Sequence, residues 1–338
     1  MNEVNQKNLI PERNRLFCPM EGPMTKMFFS LVDYRNNYFT SDDPNKIIEF
    51  YNSFDNRDQL IQWMKERPKG VANIHEVDGD KEIIVIIPTA DFNGKYAKEC
   101  RENIFKGLHM IFVESGGRED FYFNYAHNCN IGITKAMEYN PKWVIVSNDD
   151  MRKIDNPDKL RRELFKLELN KIDVVFTKPS QTKYHSLPLM FGIPNFFGKL
   201  YYSLIERTGI APHDFWFYLY KGKNLLNLKN EVILLPKHIL TILFFTKLKP
   251  VIITMSFFIV SGNFTRQQHG RILSESFING AEDWDFSYRT FYKGLSSDFI
   301  EFEIAEYSGT TLGNGGNRAI RDDANIILFT ALYESDFA

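Results

Sequence analysis

From residue 80 onward this sequence predicts an α/β fold with a mixed, mainly parallel sheet flanked by helices. Three observations carry that expectation. Apolar, β-branched runs alternate with helical stretches, the signature of βαβ units. The runs are apolar throughout rather than at every second position, as in strands buried on both faces. And 43% of the 338 residues are hydrophobic, enough for a sizeable core in one large domain or two modest ones.

The elements follow in chain order. Residues 1–40 show little periodicity. In "SDDPNKIIEFYNSF" (41–54), Asp43 is placed to cap a helix, with Pro44 in its first turn and Ile47, Ile48 and Tyr51 on one face. "RDQLIQWMKERPKG" (57–70) reads as a second helix, stopped by Pro68 and Gly70. Residues 1–79 are therefore expected to form an N-terminal helical extension. Strands are expected over 81–92 (KEIIVIIPTADF), 108–117 (LHMIFVESGG), 141–151 (PKWVIVSNDDM) and 171–179 (KIDVVFTKP). Helices are expected over 94–107 and in the second half of 123–140. Residues 181–250 are rich in rings and read as a helical, aromatic insertion with a small core of its own. Residues 251–310 complete the domain, and 311–338 are expected to be a C-terminal loop and tail.

Composition excludes several roles. There are 41 basic and 43 acidic residues, a net charge of −2, so nothing draws the chain toward nucleic acid. Cys18, Cys100 and Cys129 are far apart, and reduced thiols in a cytoplasmic setting are expected. The N-terminus lacks a signal-peptide pattern. No uncharged apolar run reaches the ~20 residues that span a bilayer. The longest candidate, 239–261, is broken by Lys247, Lys249 and Pro250, and reads as two buried elements or as a segment touching a membrane surface. His185, His213, His238 and His269 have no zinc spacing.

Open sheets of this kind bind ligands at the carboxyl ends of their strands. Those ends read Pro88-Thr89-Ala90-Asp91, Glu114-Ser115-Gly116-Gly117 and Asn148-Asp149-Asp150. Neither GxGxxG nor GxxxxGK[ST] is present, and "PTADFNGK" (88–95) has one glycine, so no glycine-rich loop cradles phosphates there. The remaining common solution is a divalent metal held by carboxylates. Mg²⁺ or Mn²⁺ needs only one or two of them besides phosphate oxygens, and Asp149 and Asp150 suit that task. The other reading of these two acids is a cap for the following helix.

A second acidic cluster lies far downstream, in "INGAEDWDFSYR" (278–289). Three carboxylates beside a tryptophan fit neither a solvated helix face nor a core helix. With this segment the chain resembles the inverting, nucleotide-sugar-dependent family 2 of the GT-A-fold glycosyltransferases. Ser261-Gly262-Asn263, Arg266, Phe277, Glu282-Asp283, Asp285 and Arg289 stand at matching places. So do "IIPTADF", "FVESGG", "NCNIGITKA" and "VIVSNDDM" upstream. The resemblance covers roughly residues 80–310.

It implies a GT-A-like catalytic domain over 80–310: a nucleotide-binding half (80–180), the variable insertion (181–250) and an acceptor half (251–310). Asp283 would be the general base, and Glu282 would position the acceptor or raise the base's pKa by like charge. Asp285 and Arg289, four apart, would pair along a helix. Trp284 and Tyr288 would wall the acceptor or pack in the core, with Gly262 and Asn263 also on the acceptor side. The donor would meet Pro88, Thr89, Asp91, Glu114, Asn130, Gly132, Asn148 and Asp149. Asp150, helped by Asp149, would hold the metal. The chain departs from the pattern at Asn148, where an acid is usual, and at Tyr307, near which some members carry a histidine. The glycine-rich stretch 308–323, with Arg318 or Arg321, reads as a lid over the diphosphate or as a surface loop.

The activity so implied is sugar transfer from a nucleotide-sugar to a hydroxyl acceptor with inversion. The acceptor would be a glycan, a lipid-linked molecule or a protein. Peripheral membrane contact and a homodimer are compatible with the ring-rich insertion. Two rivals stand: a sugar nucleotidyltransferase, against which the single glycine of "PTADFNGK" argues, and a non-catalytic sugar- or nucleotide-binding protein on a degenerate version of the scaffold.

Overall fold

The computed structural model describes residues 35, 37–41, 43–116, 122–177, 187–194, 196–197, 200, 203–204, 245–253, 256–307 and 317–333. Helices α1 (Pro44–Asn52) and α2 (Arg57–Glu66) come first. Asp43 caps α1 by accepting the Asn45 amide, and Asn56 caps α2 by accepting the Gln59 amide.

The strands and helices that follow are β1 (Asn73–Val77), β2 (Asp80–Thr89), α3 (Lys95–Glu99, running on as a π-turn through Ile104) and β3 (Leu108–Glu114). Then come α4 (Tyr125–Ala136), β4 (Trp143–Ser147), the short β5 (Met151–Lys153), α5 (Pro157–Leu164) and β6 (Val174–Thr177). The later part holds β7 (Leu187–Pro194), β8 (Phe245–Ile253), β9 (Phe257–Ser261), α6 (Gly262–Gln267) and α7 (Glu282–Tyr292). It ends with β10 (Ser297–Ile300), β11 (Ile304–Glu306) and α8 (Asn317–Leu332).

Seven strands form the central sheet, in the order β1-β3-β2-β4-β9-β6-β10. Strands β3, β2, β4, β6 and β10 run one way, whereas β1 at the edge and β9 in the middle run the other. The sheet is thus mixed and largely parallel, flanked by helices, as the alternation of runs predicts. Strand β2 shows why its run is apolar throughout. Ile83, Val85 and Ile87 pack against α3 and α5 on one face, and Ile84 and Ile86 against α4 on the other. Helix α4 lies close on the sheet because Gly132 has no side chain. A Cβ there would stand 2.3 Å from Ile86 Cγ2 and 2.9 Å from Val113 Cγ2.

Outside this sandwich lies a further layer of helices. Helix α7 joins the two. Its Phe286 ring lies 5.0 Å from that of Phe258 on the sheet, while Trp284 and Tyr288 meet Phe329 of α8 edge-on. Helices α1 and α2 share that outer core with α8, through Ile47, Phe50, Trp63, Ile327 and Leu328. The two ends of the described chain therefore pack on each other. Phe50 is fully buried, 5.1 Å from both Phe54 and Trp63, and its truncation to alanine costs roughly 3–5 kcal/mol.

Three departures from the expected elements have physical causes. Strand β9 runs antiparallel, yet its run "FFIVS" is as apolar as its neighbours', because burial on both faces erases the alternation that marks a strand's setting. The described part of the insertion includes a two-stranded antiparallel sheet, β7–β8, besides helical residues at 196–197, 200 and 203–204. The run 239–261 resolves, from 245 on, into two strands, of which β9 is buried. Third, 317–323 is not loop but the start of the 16-residue helix α8. Residues 308–316 lie outside the described residues.

Candidate functional site at the carboxyl edge of the sheet

Strands β2, β3 and β4 end side by side, so Thr89, Glu114 and the Asn148-Asp149-Asp150 turn share one edge. The Thr89 hydroxyl donates to Asp149 Oδ2 at 2.6 Å, tying two strand ends together. The backbone then runs from Asp150 into β5, which pairs with β11 and brings Glu306 back to the turn. Tyr307 N donates to Asp150 O at 2.8 Å. Asn148 Nδ2 donates to Glu306 Oε1 at 3.0 Å, and the Ser256 hydroxyl to Glu306 Oε2 at 2.7 Å.

Three carboxylates thus meet in one partly buried spot. Both oxygens of Glu306 accept donors, which suits its ionised form. No described side chain donates to the Asp150 carboxylate. Burial, then Glu306 and Asp149, push Asp150 up to about 7. Burial also raises Asp149 and Glu306. A divalent cation relieves such repulsion, and the chemistry of the donors, hard oxygens at a strand end, fits Mg²⁺ or Mn²⁺. Among the described residues, no three or more His, Cys, Asp or Glu side chains form a ready-made metal cage. A cation held by one or two carboxylates and completed by ligand oxygens needs none.

The second acidic cluster reaches the same edge through Tyr125. Asn279 Oδ1 accepts the Tyr125 amide at 2.9 Å, which fixes the turn before α7 to the start of α4. The Tyr125 hydroxyl donates to Asn148 Oδ1 at 2.9 Å. Burial, then Cys129, and after them Glu282 and Glu306 hold that phenol well above its usual range. Glu282 opens α7 and is buried, and its Oε2 lacks a hydrogen-bond partner among the described residues. Burial, then Asp283, push it up to about 8. Asp283 is half-buried, its Oδ1 accepting the Trp284 amide at 2.9 Å. The turn carries strain, with φ of 51° at Asn279 and 61° at Ala281, both on non-glycine residues. Gly280 between them leaves no room for a Cβ, which would lie 2.9 Å from Asp322 Oδ1.

Several residues expected at the site serve elsewhere. Gly262 and Asn263 lie at the opposite edge. Ser261 pairs with Trp143, the first residue of β4, because β9 is reversed, so five residues at about 3.3 Å each separate them from Asn148. Gly262 is required there by a close approach: a Cβ would lie 2.0 Å from Pro141 O. Asn263 donates to Asn170 at 2.8 Å. Glu114 has both oxygens engaged, by the Phe92 amide and by His75 Nε2, each at 2.8 Å, and these lower its pKa. Asn130 is buried and spends its amide on Leu273 O, the Glu275 carboxylate and the amides of Ile272 and Leu273. Gly132 packs α4 on the sheet.

Trp284 and Tyr288 face the outer core, so the core reading holds and the acceptor wall does not. Arg321 donates to Thr40 O at 3.3 Å, and Arg318 stands in the first turn of α8 rather than in a loop. Pro88 is buried in β2, and Asp91 caps its own turn by accepting the Asn93 amide at 2.8 Å. The expected Asp285–Arg289 pair is present at 2.9 Å, with Tyr333 donating to the other Asp285 oxygen at 2.6 Å.

Glu306, Ser256 and Tyr125 were not expected. Glu306 ends a short run as the other acids do, and that position is its one sequence signal. Tyr125 carries no local signal at all. Half-exposed Tyr96 and Tyr307 stand 5.9 Å apart, the latter one residue after Glu306. Cys100 and Cys129 are buried free thiols, and Cys100 Sγ donates to Asp149 O at 3.3 Å. No described helix is long and apolar enough to cross a membrane. Comparison of the chain with protein-family models, curated proteins and solved structures finds no match.

Proposed function

We propose that this chain transfers a sugar from a nucleotide-sugar to a hydroxyl acceptor with inversion, on a GT-A-like fold. The observation that carries the reading is Asp150, a partly buried carboxylate at a strand end, facing Glu306 and Asp149 with no side-chain donor among the described residues. Asp150 and Asp149 would hold Mg²⁺ or Mn²⁺, and Glu306 extends that set. When bound, the metal neutralises charge on the leaving diphosphate. Tyr125 and Ser256 orient Asn148 and Glu306 around it. Asp283 removes the acceptor hydroxyl's proton, with Glu282 beside it at the start of α7.

The test is calorimetric titration with UDP, GDP and dTDP, each with and without Mn²⁺ or Mg²⁺. Micromolar, metal-dependent binding of one nucleotide is expected. A second reading, a non-catalytic nucleotide- or sugar-binding protein, is favoured by the structural use of Glu114, Asn130 and Gly262. Nucleotide binding without turnover of any nucleotide-sugar would select it. No binding of any nucleotide with either metal would overturn the enzyme reading.

A further inference from the structure

Glu114 spends both oxygens on the protein, so the ring of a bound nucleotide needs another support at this edge. Tyr96 and Tyr307 supply one. Tyr96 lies in α3, and its carbonyl accepts the Cys100 amide, so the two residues share a helical face. Cys100 Sγ in turn donates to Asp149 O at 3.3 Å. Tyr307 follows Glu306, and its amide donates to Asp150 O at 2.8 Å. Two distant segments thus tether their rings to the same carboxylate turn. The rings are 43% and 44% exposed. Their centres stand 5.9 Å apart and their planes are inclined at 43°. A third ring does not fit between them, since that needs two contacts of about 3.5 Å each. It can lie on the open side of the pair. Single exposed rings are ordinary, but two in contact beside a carboxylate cluster make a platform. Lys95 Nζ, 6.0 Å from the Tyr96 ring centre, adds a cation at its side.

We infer that Tyr96 and Tyr307 are the stacking platform for the nucleobase of a nucleoside diphosphate, whose phosphates a divalent cation holds at Asp149, Asp150 and Glu306. Aromatic faces stack a planar base whatever its hydrogen-bonding edge. The two faces of the sheet decide for the nucleobase over the sugar. Helix α3 and the β5–β11 ribbon pack on one face, through Cys100, Met151 and Ile304. Helices α4 and α7 pack on the other, through Cys129 and Phe286. The transferred sugar has to reach Asp283 at the start of α7, so it leaves the carboxylates toward the second face. The nucleobase, at the other end of the diphosphate, is directed to the first face, where the tyrosines stand. Lys95 on that side has the sign that phosphates need. The inference rests on the nucleotide-sugar reading and adds to it the place that holds the nucleobase.

The test is calorimetric titration of the full chain, with Mn²⁺ present, by UDP, GDP and dTDP, and by inorganic pyrophosphate as a probe with phosphates and no ring. Tyr96→Ala and Tyr307→Ala are each expected to weaken the nucleotide that the parent binds by roughly 5- to 150-fold, the scale of one stacked base. Tyr96→Phe and Tyr307→Phe keep the ring and are expected to stay within about threefold of the parent. Pyrophosphate affinity and unfolding temperature are expected to be the same in the parent and every variant. Nucleotide affinity at the parent level in both alanine variants overturns the inference and leaves the nucleotide-sugar reading standing. Equal losses for nucleotide and pyrophosphate overturn it too, because the rings then only shape the carboxylate turn. So does a loss seen with a nucleotide-sugar but not with its nucleoside diphosphate, which assigns the platform to the sugar. No binding of any nucleotide by the parent overturns that reading, and the inference with it.

Discussion

Asn148 Nδ2 donates to Glu306 Oε1 at 3.0 Å, joining residues 158 positions apart. The amide stands where an acid would face the Glu306 carboxylate directly. Asn148→Asp removes the donor and adds a like charge. A loss of roughly 2 kcal/mol in urea unfolding at pH 8 is expected, smaller at pH 5, where the new carboxyl can hold a proton. Equal stability of parent and variant at pH 8 would show that this contact does not govern the turn.

Glu282 and Asp150 set the pH dependence of the ligand-free protein. Their folded pKa values, about 8 and about 7, lie above the unfolded 4.5 and 3.8. The folded state therefore binds more protons across this window, and stability falls as pH rises from about 4 to about 8. Glu282→Gln keeps the shape and removes one titration. It is expected to flatten the curve and to exceed the parent at pH 9, by on the order of 3 kcal/mol. A parent whose stability rises steadily to pH 9 would refute this.

Asp283→Asn and Asp150→Ala separate the two halves of the proposed chemistry. The first is expected to keep nucleotide affinity within about twofold and to lower turnover at least 100-fold, the scale of a lost general base. The second is expected to weaken nucleotide binding with metal present, and to change it little without metal. Transfer at the parent rate by Asp283→Asn would remove that residue from the base role.

Gly132 and Ala281 make opposite tests of the backbone. Gly132→Ala forces a Cβ against Ile86 and Val113, and a cost of roughly 1–3 kcal/mol is expected. Ala281→Gly relieves a left-handed alanine, and a gain of about 0.5–1 kcal/mol is expected. Thermal unfolding reads both, and a destabilised Ala281→Gly would mean that the turn is not strained.

What sequence reveals here is local. The cap at Asp43, the runs of β2, β3, β4 and β6, and the i,i+4 pair Asp285–Arg289 are readable because each depends on neighbours within a turn or a strand. Orientation is not local. The reversal of β9 moves Gly262 and Asn263 to the far edge, and nothing within "FFIVSGN" records it. Partners are not local either. Glu114 looks like a free acid until β1 brings His75 beside it, and Trp284 looks like a sugar platform until α8 covers it. Glu306 joins the site only because β11 pairs with β5.

The reversed β9 also fixes where the long excursion between β6 and β9 is anchored. Strand β6 ends at Thr177 on the carboxyl edge, and β9, running backwards, begins at Phe257 on that same edge. The 79 residues from 178 to 256 therefore leave and return on one rim, beside Asp150 and Glu306. Such a cassette can be lengthened, shortened or exchanged without altering any strand of the sheet. One backward strand thus lets a fixed acidic edge carry inserts of different length at its side.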